Sequence, residues 1–349
     1  MTSAALLDAI DQFTGVRGYL AAASIGLPPK RAVAAMRADL NAWEAADRDP
    51  MGYDSIVENT RGHYARLVNM PVSSIAIASQ TSAIASIVAA AAPAGAEVVC
   101  VDGDFTSIVF PFLQRAGITV RSVPLEALAE SLTDDTWLVA FSLVQSANGR
   151  VADLPAIIEA ARAHDVLTFC DSTQGAGVHP FAASPFDITA CHAYKWLCSP
   201  RGVAFMTVGD RADALLTPIH AGWYAGGDDR WTSIYGPAMN LAPDARRFDV
   251  SPAWQAFAGA EHAIELFAGL DIAEVWDRTT ALGDALCDGL GIPQQHQAIV
   301  TWPDESGDDV KKLVDNGIKV SGRAGRLRAA FHLWNDESDV DAVLATLRS

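Results

Sequence analysis

A carboxylate and an amine occupy comparable positions after two apolar segments. Residues 166–170 end at Asp171, and residues 186–191 lead through a short polar turn to Lys195. An apolar run that stops at a polar residue is typical of a buried parallel strand whose carboxyl end reaches the edge of a sheet. Open α/β sheets bind ligands at that edge. An acid facing an amine across such a crevice suggests pyridoxal phosphate (PLP), because its ring nitrogen requires a carboxylate and its aldehyde an amine.

A phosphate-bearing cofactor also requires hydrogen-bond donors, and residues 75–82 offer them. The pattern predicts a strand that ends in small polar residues, among them Gln80 and Thr81, directly before an alanine-rich helix. The first turn of a helix has unpaired backbone N–H groups, which bind anions. An ordinary Ser/Thr cap is the commoner interpretation of such a turn in isolation. The phosphate interpretation therefore depends on the other signals for the cofactor.

Aromatic residues fit the same chemistry. Phe105 lies in a turn after the strand predicted over residues 97–102, where its ring could stack on a flat heterocycle, although most phenylalanines pack in a core. Tyr194 and Trp196 flank Lys195, whereas most lysines are solvated surface charges. An apolar setting would lower the pKa of the Lys195 amine towards that of a useful base.

Composition restricts the class of protein. A length of 349 residues suits one large domain with a smaller one, and half of the residues are hydrophobic, so a substantial core is available. The formal charge of −17, from 42 acids and 25 bases, argues against a nucleic-acid partner. No apolar run approaches the roughly 18 residues of a membrane span, and residues 1–5 show no secretory signal. We therefore expect a soluble, cytoplasmic protein.

The cysteines and histidines indicate neither disulfides nor a metal site. The five cysteines form no CxxC pair, and four of them lie in or beside apolar segments, as reduced buried thiols do. The eight histidines show no paired spacing with cysteine or carboxylate, so we expect no bound metal.

The order of the predicted elements indicates an α/β protein. Strands alternate with helices from about residue 75 to residue 208, which is the pattern of a parallel sheet with covering helices. Before this region, residues 19–29 predict a short strand that opens into a Gly/Pro turn. Residues 51–68 have helical spacing that would bring Arg61 and Arg66 to a surface.

The character of the chain changes beyond residue 208. A stretch rich in glycine and aromatic residues is followed by helices and extended segments that predict a compact α+β unit. We therefore predict a large domain over residues 15–240 and a small domain formed by residues 1–14 and 241–349.

Two motifs, DSTQ at residues 171–174 and HAYKWLCSPRG at residues 192–202, carry a family resemblance. They resemble motifs of the class V aminotransferases, fold-type I PLP enzymes that include cysteine desulfurases, isopenicillin N epimerase-like proteins and kynureninases. The similarity extends over nearly the whole chain, from residues 19–29 to residues 327–335. It implies a large PLP-binding domain with a mostly parallel central sheet covered by helices, and a small C-terminal α+β domain.

The resemblance implies a role for each residue around the cofactor. Lys195 would bond covalently to the aldehyde and later move the proton of the substrate Cα. Asp171 would pair with the ring nitrogen, and Gln174 would donate to the phenolic oxygen. The remaining contacts would be the phosphate donors Gln80, Thr81 and His192, with Tyr194 as a helper, and Phe105 stacked on the ring.

The resemblance also implies a substrate clamp and a shared site. Arg328 would bind the α-carboxylate of an amino-acid-type substrate, and the turn at Ser24 would line the pocket. In this family the site lies at the interface of a homodimer. Trp223 and Ser251 would therefore reach the phosphate or the substrate of the neighbouring subunit.

Three departures from the family pattern bear on the reaction. Tyr194 precedes the lysine where many relatives have histidine, and Ser146 stands where an asparagine commonly approaches the phenolic oxygen. Residues 320–325 contain no cysteine, whereas desulfurases use a cysteine near that point to form a persulfide. Cys287 lies in a helical pattern and is a poor substitute, so we do not expect sulfur transfer through a persulfide.

These features predict a PLP enzyme that acts on an amino acid or amino-acid derivative, with an aminotransferase as the leading interpretation. The alternative is a β-eliminating C–S lyase or a desulfurase-like enzyme, because elimination uses the same lysine base. A non-catalytic scaffold would be expected to lack the lysine or the aspartate, and both are present.

Overall fold

The computed structural model describes residues 2–13, 15–227, 230–237 and 239–349. The α-helices in these residues are α1 Ala4–Asp11, α2 Lys30–Glu44, α3 Tyr53–Leu67, α4 Thr81–Ala91, α5 Thr106–Leu113, α6 Leu154–Ala163, α7 Asp210–Asp213, α8 Trp254–Ala268, α9 Ile272–Leu290, α10 Asp308–Asp315 and α11 Glu337–Arg348. The strands are β1 Ile75–Ala78, β2 Glu97–Val101, β3 Thr119–Val123, β4 Thr136–Ser142, β5 Leu167–Asp171, β6 Ile188–His192, β7 Ala204–Val208, β8 Ile299–Pro303, β9 Ser321–Arg323 and β10 Arg326–Ala330.

The central sheet has seven strands in the order β1-β7-β6-β5-β4-β2-β3. Strands β2 to β6 pair in parallel, and β7 is antiparallel to both β6 and β1. Strand β1 therefore points in the same direction as β2 to β6, so its carboxyl end reaches the same edge of the sheet. The predicted α/β architecture with a mostly parallel sheet is confirmed.

Helices cover both faces of this sheet. One apolar cluster joins the sheet to α1, α3, α6 and α8, and a second joins its other face to α4, α5 and α7. Strands β1, β5, β6 and β7 are buried along their whole length. Burial on both faces explains why these strands are continuous apolar runs without alternation.

A second, smaller sheet accounts for the predicted α+β unit. Its strands lie in the order β8-β10-β9, all antiparallel, and they share an apolar core with α9, α10 and α11. Residues 19–21 attach to this sheet, since Leu20 N donates to Lys319 O at 2.8 Å and Ala330 N donates to Leu20 O at 2.9 Å. The strand expected there is reduced to isolated bridges at Tyr19 and Ala21. The domain limits at residues 14/15 and 240/241 stay a prediction.

A buried ion pair anchors helix α3. The face of this helix that carries Arg61 is therefore buried. The Arg61 guanidinium donates to Asp249 Oδ2 at 2.7 Å and to Ile75 O at 2.7 Å. Asp249 Oδ1 in turn accepts from the backbone N–H of Ile77 at 2.8 Å. Both charged side chains are fully buried. The expectation that Arg61 faces a surface is wrong. Helical periodicity cannot reveal that a charged side chain has a buried partner far along the chain. Arg66 is exposed, as expected.

The Arg61–Asp249 pair makes a stability prediction. Replacing Asp249 with Ala removes the buried acid from the Arg61 guanidinium, which keeps Ile75 O and the partly exposed Glu58, and it leaves the Ile77 N–H without its acceptor. We therefore expect a loss of about 3–5 kcal/mol in the free energy of unfolding. The exposed Lys311–Asp315 pair of α10 is the control, and Lys311→Ala should cost less than about 0.5 kcal/mol. Urea unfolding measures both. Equal losses in the two variants would contradict the buried-pair argument.

Candidate active site

Asp171 and Lys195 follow neighbouring strands. Strand β5 ends at Asp171, which lies opposite Ala190 of β6 in the parallel register, and Lys195 is in the turn after β6. The Asp171 carboxylate is buried, and its Oδ1 accepts from Thr173 N at 2.9 Å. Burial raises the pKa of Asp171, although the hydrogen bonds from Thr173 and the charge of Lys195 oppose this. Acid and amine are thus close enough to act on each other's pKa, and they form no ion pair in the part of the chain the structure describes.

Lys195 is a buried amine without a polar partner among the described residues. The residue is 6% exposed, and its Nζ lies 5.2 Å from the ring centroid of Phe105 and 5.6 Å from that of Tyr194. Burial lowers its pKa to about 8, with Arg328 and Arg323 contributing in the same direction and Asp171 in the opposite one. A lysine with this pKa is a base near neutral pH.

The backbone around Lys195 is held by a close approach of Gly26. Gly26 N donates to Tyr194 O at 2.9 Å. A Cβ atom at Gly26 would lie 1.9 Å from Lys195 O and 3.0 Å from Cys198 Cα, so no larger residue fits without displacing the lysine turn. The sequence predicted only a Gly/Pro turn at this point. The contact between Gly26 and the lysine turn depends on the tertiary structure.

Gln174 is fixed in orientation by two neighbours. Its Oε1 accepts from the indole N–H of Trp196 at 2.7 Å, and its Nε2 donates to Ala23 O at 3.0 Å. Because the indole only donates and the carbonyl only accepts, the amide has one consistent assignment. One N–H of Gln174 remains for a further acceptor. Sequence reasoning did not give this role to Trp196, although its position beside Lys195 was noted.

The start of α4 leaves donors without acceptors, as the phosphate interpretation requires. Gln80 occupies the N-cap position and makes no side-chain capping bond, so the ordinary-cap interpretation does not apply. Thr81 Oγ1 lies 3.4 Å from Thr173 Oγ1, which accepts from His192 N at 2.9 Å. The buried Nε2 of His192 has no hydrogen-bond partner among the described residues. A buried polar atom without a partner is a costly arrangement that a bound anion or water would relieve.

Two aromatic rings border the crevice. Phe105 lies at the N-cap of α5, is 42% exposed and faces the Lys195 amine. Tyr194 meets the His192 ring edge-on at 4.4 Å between centroids, and the Arg201 guanidinium lies 4.6 Å from the Tyr194 ring. Burial lowers the pKa of His192 to about 4, and the charges of Arg201 and Lys195 contribute.

Asp104 positions Phe105 and was missed in the sequence. Its Oδ1 accepts from Phe105 N at 2.6 Å and from Ser142 Oγ at 2.5 Å. Its Oδ2 accepts from Ser142 N at 2.8 Å and from Gln145 Nε2 at 3.2 Å. These bonds tie the Phe105 turn to the end of β4. No short-range pattern indicates them, because Ser142 lies 38 residues away in the sequence.

Arg328 lies on β10 and is only 2% exposed. Its Nε donates to Ser321 Oγ at 3.1 Å, its Nη2 donates to Ser24 Oγ at 2.8 Å, and its Nη1 donates to Ser146 O. It forms no ion pair within the described residues, and burial together with the charge of Arg323 lowers its pKa to about 10. A buried guanidinium without an acid is unfavourable, so the arrangement suits an incoming carboxylate.

Trp223 and Ser251 are not brought to Lys195 within the described part of the chain. Trp223 packs against the rings of Tyr224 and Trp231, with centroids 5.2 and 5.0 Å apart. Ser251 follows the buried Asp249 and is itself exposed. Neither makes a hydrogen bond or ring contact with the residues around the lysine in the described ranges, so their assigned roles stay predictions.

No group of three or more His, Cys, Asp or Glu side chains in the described residues could hold a metal ion. All five cysteines are buried free thiols. Among the described helices, none combines the length and apolar character that a bilayer crossing requires.

The fold and this set of residues define a fold-type I PLP enzyme, and comparison with known proteins gives the family. The profile of the family described as Aminotransferase class-V matches residues 19–308, and the chain belongs to this family. It is therefore a PLP-dependent enzyme with an amino-acid-type substrate. Three features fit this cofactor: the His192 Nε2 without a partner in the described residues, the open start of α4, and the separated Asp171 and Lys195.

Individual relatives are distant. The chain is 27% identical over 305 residues to an uncharacterised aminotransferase, YcbU, of Bacillus subtilis, covering 81% of this chain and 80% of the relative. It is 25% identical over 257 residues to the isopenicillin N epimerase of Streptomyces clavuligerus, covering 68% and 57%.

Two solved structures share the fold. One is the cystine C–S lyase C-DES, with a TM-score of 0.85, 22% identity and coverage of 95% of this chain and 97% of that one. The other is the cysteine desulfurase CsdA of Escherichia coli, with a TM-score of 0.84, 21% identity and coverage of 98% and 97%.

The depressed pKa of Lys195 predicts the pH dependence of cofactor capture. The neutral amine attacks the aldehyde, and its fraction rises as the pH passes through the pKa of the amine. We expect the rate of covalent PLP capture by the apoprotein to rise to half-maximum near pH 8 instead of near 10.5. Stopped-flow absorbance measures the rate, with Nα-acetyl-lysine as the control for the ionisation of free PLP. A midpoint that coincides with the control would refute the burial argument.

Proposed function

We propose that this protein is an aminotransferase that removes the amino group of an amino acid and passes it to an acceptor. The observation that carries the proposal is a pair of buried cations, Lys195 and Arg328, that have no acidic partner in the described part of the chain, in a site without a reactive thiol. The amine suits proton transfer at the substrate Cα, and the guanidinium suits the α-carboxylate. Transamination requires no further group from the protein.

The residues that would hold PLP are those around the crevice. Asp171 would pair with the ring nitrogen, and the free N–H of Gln174 would donate to the phenolic oxygen. The phosphate would accept from the start of α4 at Gln80 and Thr81 and from His192, with Tyr194 beside it, while Phe105 would cover the ring. When bound, PLP supplies an electron sink for the negative charge left at the substrate Cα.

Lys195 and Arg328 would then have different roles toward the substrate: proton transfer and carboxylate binding. The planar fork of Arg328 would bind the α-carboxylate, with Ser24 Oγ holding its Nη2 in place. A fixed carboxylate sets which bond of the substrate Cα faces the Lys195 Nζ. Lys195 would accept the Cα proton and return it, and its pKa of about 8 supports this exchange.

Persulfide chemistry has no candidate nucleophile near this site. Residues 320–325 contain no cysteine, and Cys287 is buried within α9. Cys198 lies in the lysine turn, but burial raises its pKa well above the usual value, which disfavours the reactive thiolate. β-Elimination uses the same lysine base, so an experiment must separate it from transamination.

The proposal is tested by mixing PLP-loaded enzyme with single L-amino acids in the absence of any acceptor. Transamination converts the cofactor stoichiometrically to its amine form, with loss of visible absorbance and release of one equivalent of oxo acid. Elimination from cysteine or cystine instead releases pyruvate and ammonia repeatedly while the absorbance persists. Lys195→Ala is the control and should lose both reactions. If no amino acid converts the cofactor, the transaminase proposal fails.

We also propose a homodimer whose active sites are shared. Trp223 and Ser251 lack contacts with their own lysine among the described residues, and apolar side chains near Trp223 are exposed, including Ile219, Ile234 and Tyr235. Exposed apolar side chains that form one contiguous patch are typical of an interaction surface. A two-fold interface would bring each Trp223 to the site of its partner.

Subunit complementation tests the shared site. Lys195→Ala and Trp223→Ala should each be inactive or nearly so as pure dimers. A mixed dimer keeps one intact site, formed by Lys195 of one chain and Trp223 of the other. Refolding the variants together in equal amounts should restore about a quarter of the wild-type activity, since about half of the dimers are mixed and each has one site. Activity that stays at the level of the separate variants would exclude a trans role for Trp223.

A further inference from the structure

Arg323 lies on the same face of the small sheet as Arg328. In the antiparallel pairing of β9 with β10, Arg328 is opposite Ser321 and Arg326 is opposite Arg323. Directly paired residues share a face, as do residues two apart on one strand. The hydrogen bond from Arg328 Nε to Ser321 Oγ, at 3.1 Å, confirms this arrangement. Arg323 is thus the diagonal neighbour of Arg328, at a Cα separation of about 7–8 Å in a regular ladder.

Arg323 has no acidic partner among the described residues, although the chain carries an excess of 17 negative charges. Its Nη1 donates to the carbonyl of the adjacent Gly322 at 2.7 Å, and the side chain is otherwise exposed. Glu305, in the segment that follows β8, lies next to Gly325 of the β9–β10 turn, yet it forms no ion pair with Arg323. Arg326, by contrast, has hydrogen-bond partners on β8: its Nε donates to Thr301 Oγ1 at 3.2 Å, and its Nη2 donates to Thr301 O at 3.0 Å.

The charge of Arg323 acts on the substrate end of the site. It lowers the pKa of Arg328 and, with Arg328, that of Lys195. Arg201 lies over the Tyr194 ring and close enough to His192 to lower the pKa of that imidazole. Arg201 therefore complements the proposed phosphate position, whereas Arg323 is a cation beside the proposed α-carboxylate clamp and has no acidic partner among the described residues.

We propose that Arg323 binds an anionic group at the end of the substrate side chain, and that the substrate is an acidic amino acid. This inference rests on the proposed function and specifies its substrate class. Two carboxylates of one small molecule would be held by neighbouring guanidinium forks, one by Arg328 and one by Arg323. A neutral side chain would make no contact with the Arg323 guanidinium, so the preference for the acidic side chain would come from that one additional contact.

Inert carboxylates test the inference by calorimetry on the PLP-loaded enzyme. Succinate and butanoate form one matched pair of ligands, and glutarate and pentanoate form the other. The wild type should bind each dicarboxylate about tenfold more tightly than its monocarboxylate partner, as expected for one additional charge-assisted contact. Arg323→Gln should abolish this preference and leave the affinity for butanoate unchanged. Arg326→Gln, which removes the same charge from the same hairpin, should retain it.

Each outcome decides the inference. Equal affinities in the wild type, a preference that survives in Arg323→Gln, or an equal loss in Arg326→Gln would each overturn it. The visible absorbance of bound PLP is recorded for every sample, because a protein that does not load the cofactor fails the proposed function itself. A protein that loads PLP and shows no dicarboxylate preference refutes only the role of Arg323.

Discussion

The site depends on the common direction of the strands that deliver its residues. Only β7 runs against the others in the central sheet, and its position between β1 and β6 lets β1 end at the same edge as β5 and β6. The start of α4, the carboxylate of Asp171 and the turn of Lys195 therefore converge although their segments are far apart in sequence. With β1 reversed, the donors at Thr81 would lie at the opposite edge of the sheet.

Convergence of these groups has an electrostatic cost, since the folded chain buries charges without pairing them. Asp171, Lys195 and Arg328 form no ion pairs in the described residues, and His192 Nε2 has no hydrogen-bond partner. The Arg61–Asp249 pair shows the usual solution, in which a buried charge is given an opposite charge and additional backbone bonds. Because a cofactor and a substrate would supply the missing charges, their binding is expected to stabilise the fold as well as to complete the site.

Sequence reasoning identified many of these residues from short-range signals. A strand that ends in aspartate, a lysine between aromatic residues and polar residues before an alanine-rich helix are all local patterns, so Asp171, Lys195 and Thr81 were accessible. Contacts between distant segments were not accessible. Asp104 is joined to Ser142, Trp196 to Gln174 and Gly26 to the lysine turn by tertiary packing alone. Helical periodicity also wrongly predicted that Arg61 faces a surface, because its buried partner lies 188 residues further along the chain.

The sequence by itself determined the element order, the parallel sheet, the family and the identity of the acid and the amine, since these follow from periodicity, strand ends and contiguous motifs. The tertiary structure decided the pKa values, the charge partners and the orientations of these groups. Burial lowers the pKa values of Lys195 and of Arg328, which meets no acid among the described residues, and packing orients Gln174 between an indole and a carbonyl. It also aligns Arg323 with Arg328 across the β9–β10 hairpin. Desolvation and pairing depend on what surrounds a group in three dimensions, and that information is absent from local sequence.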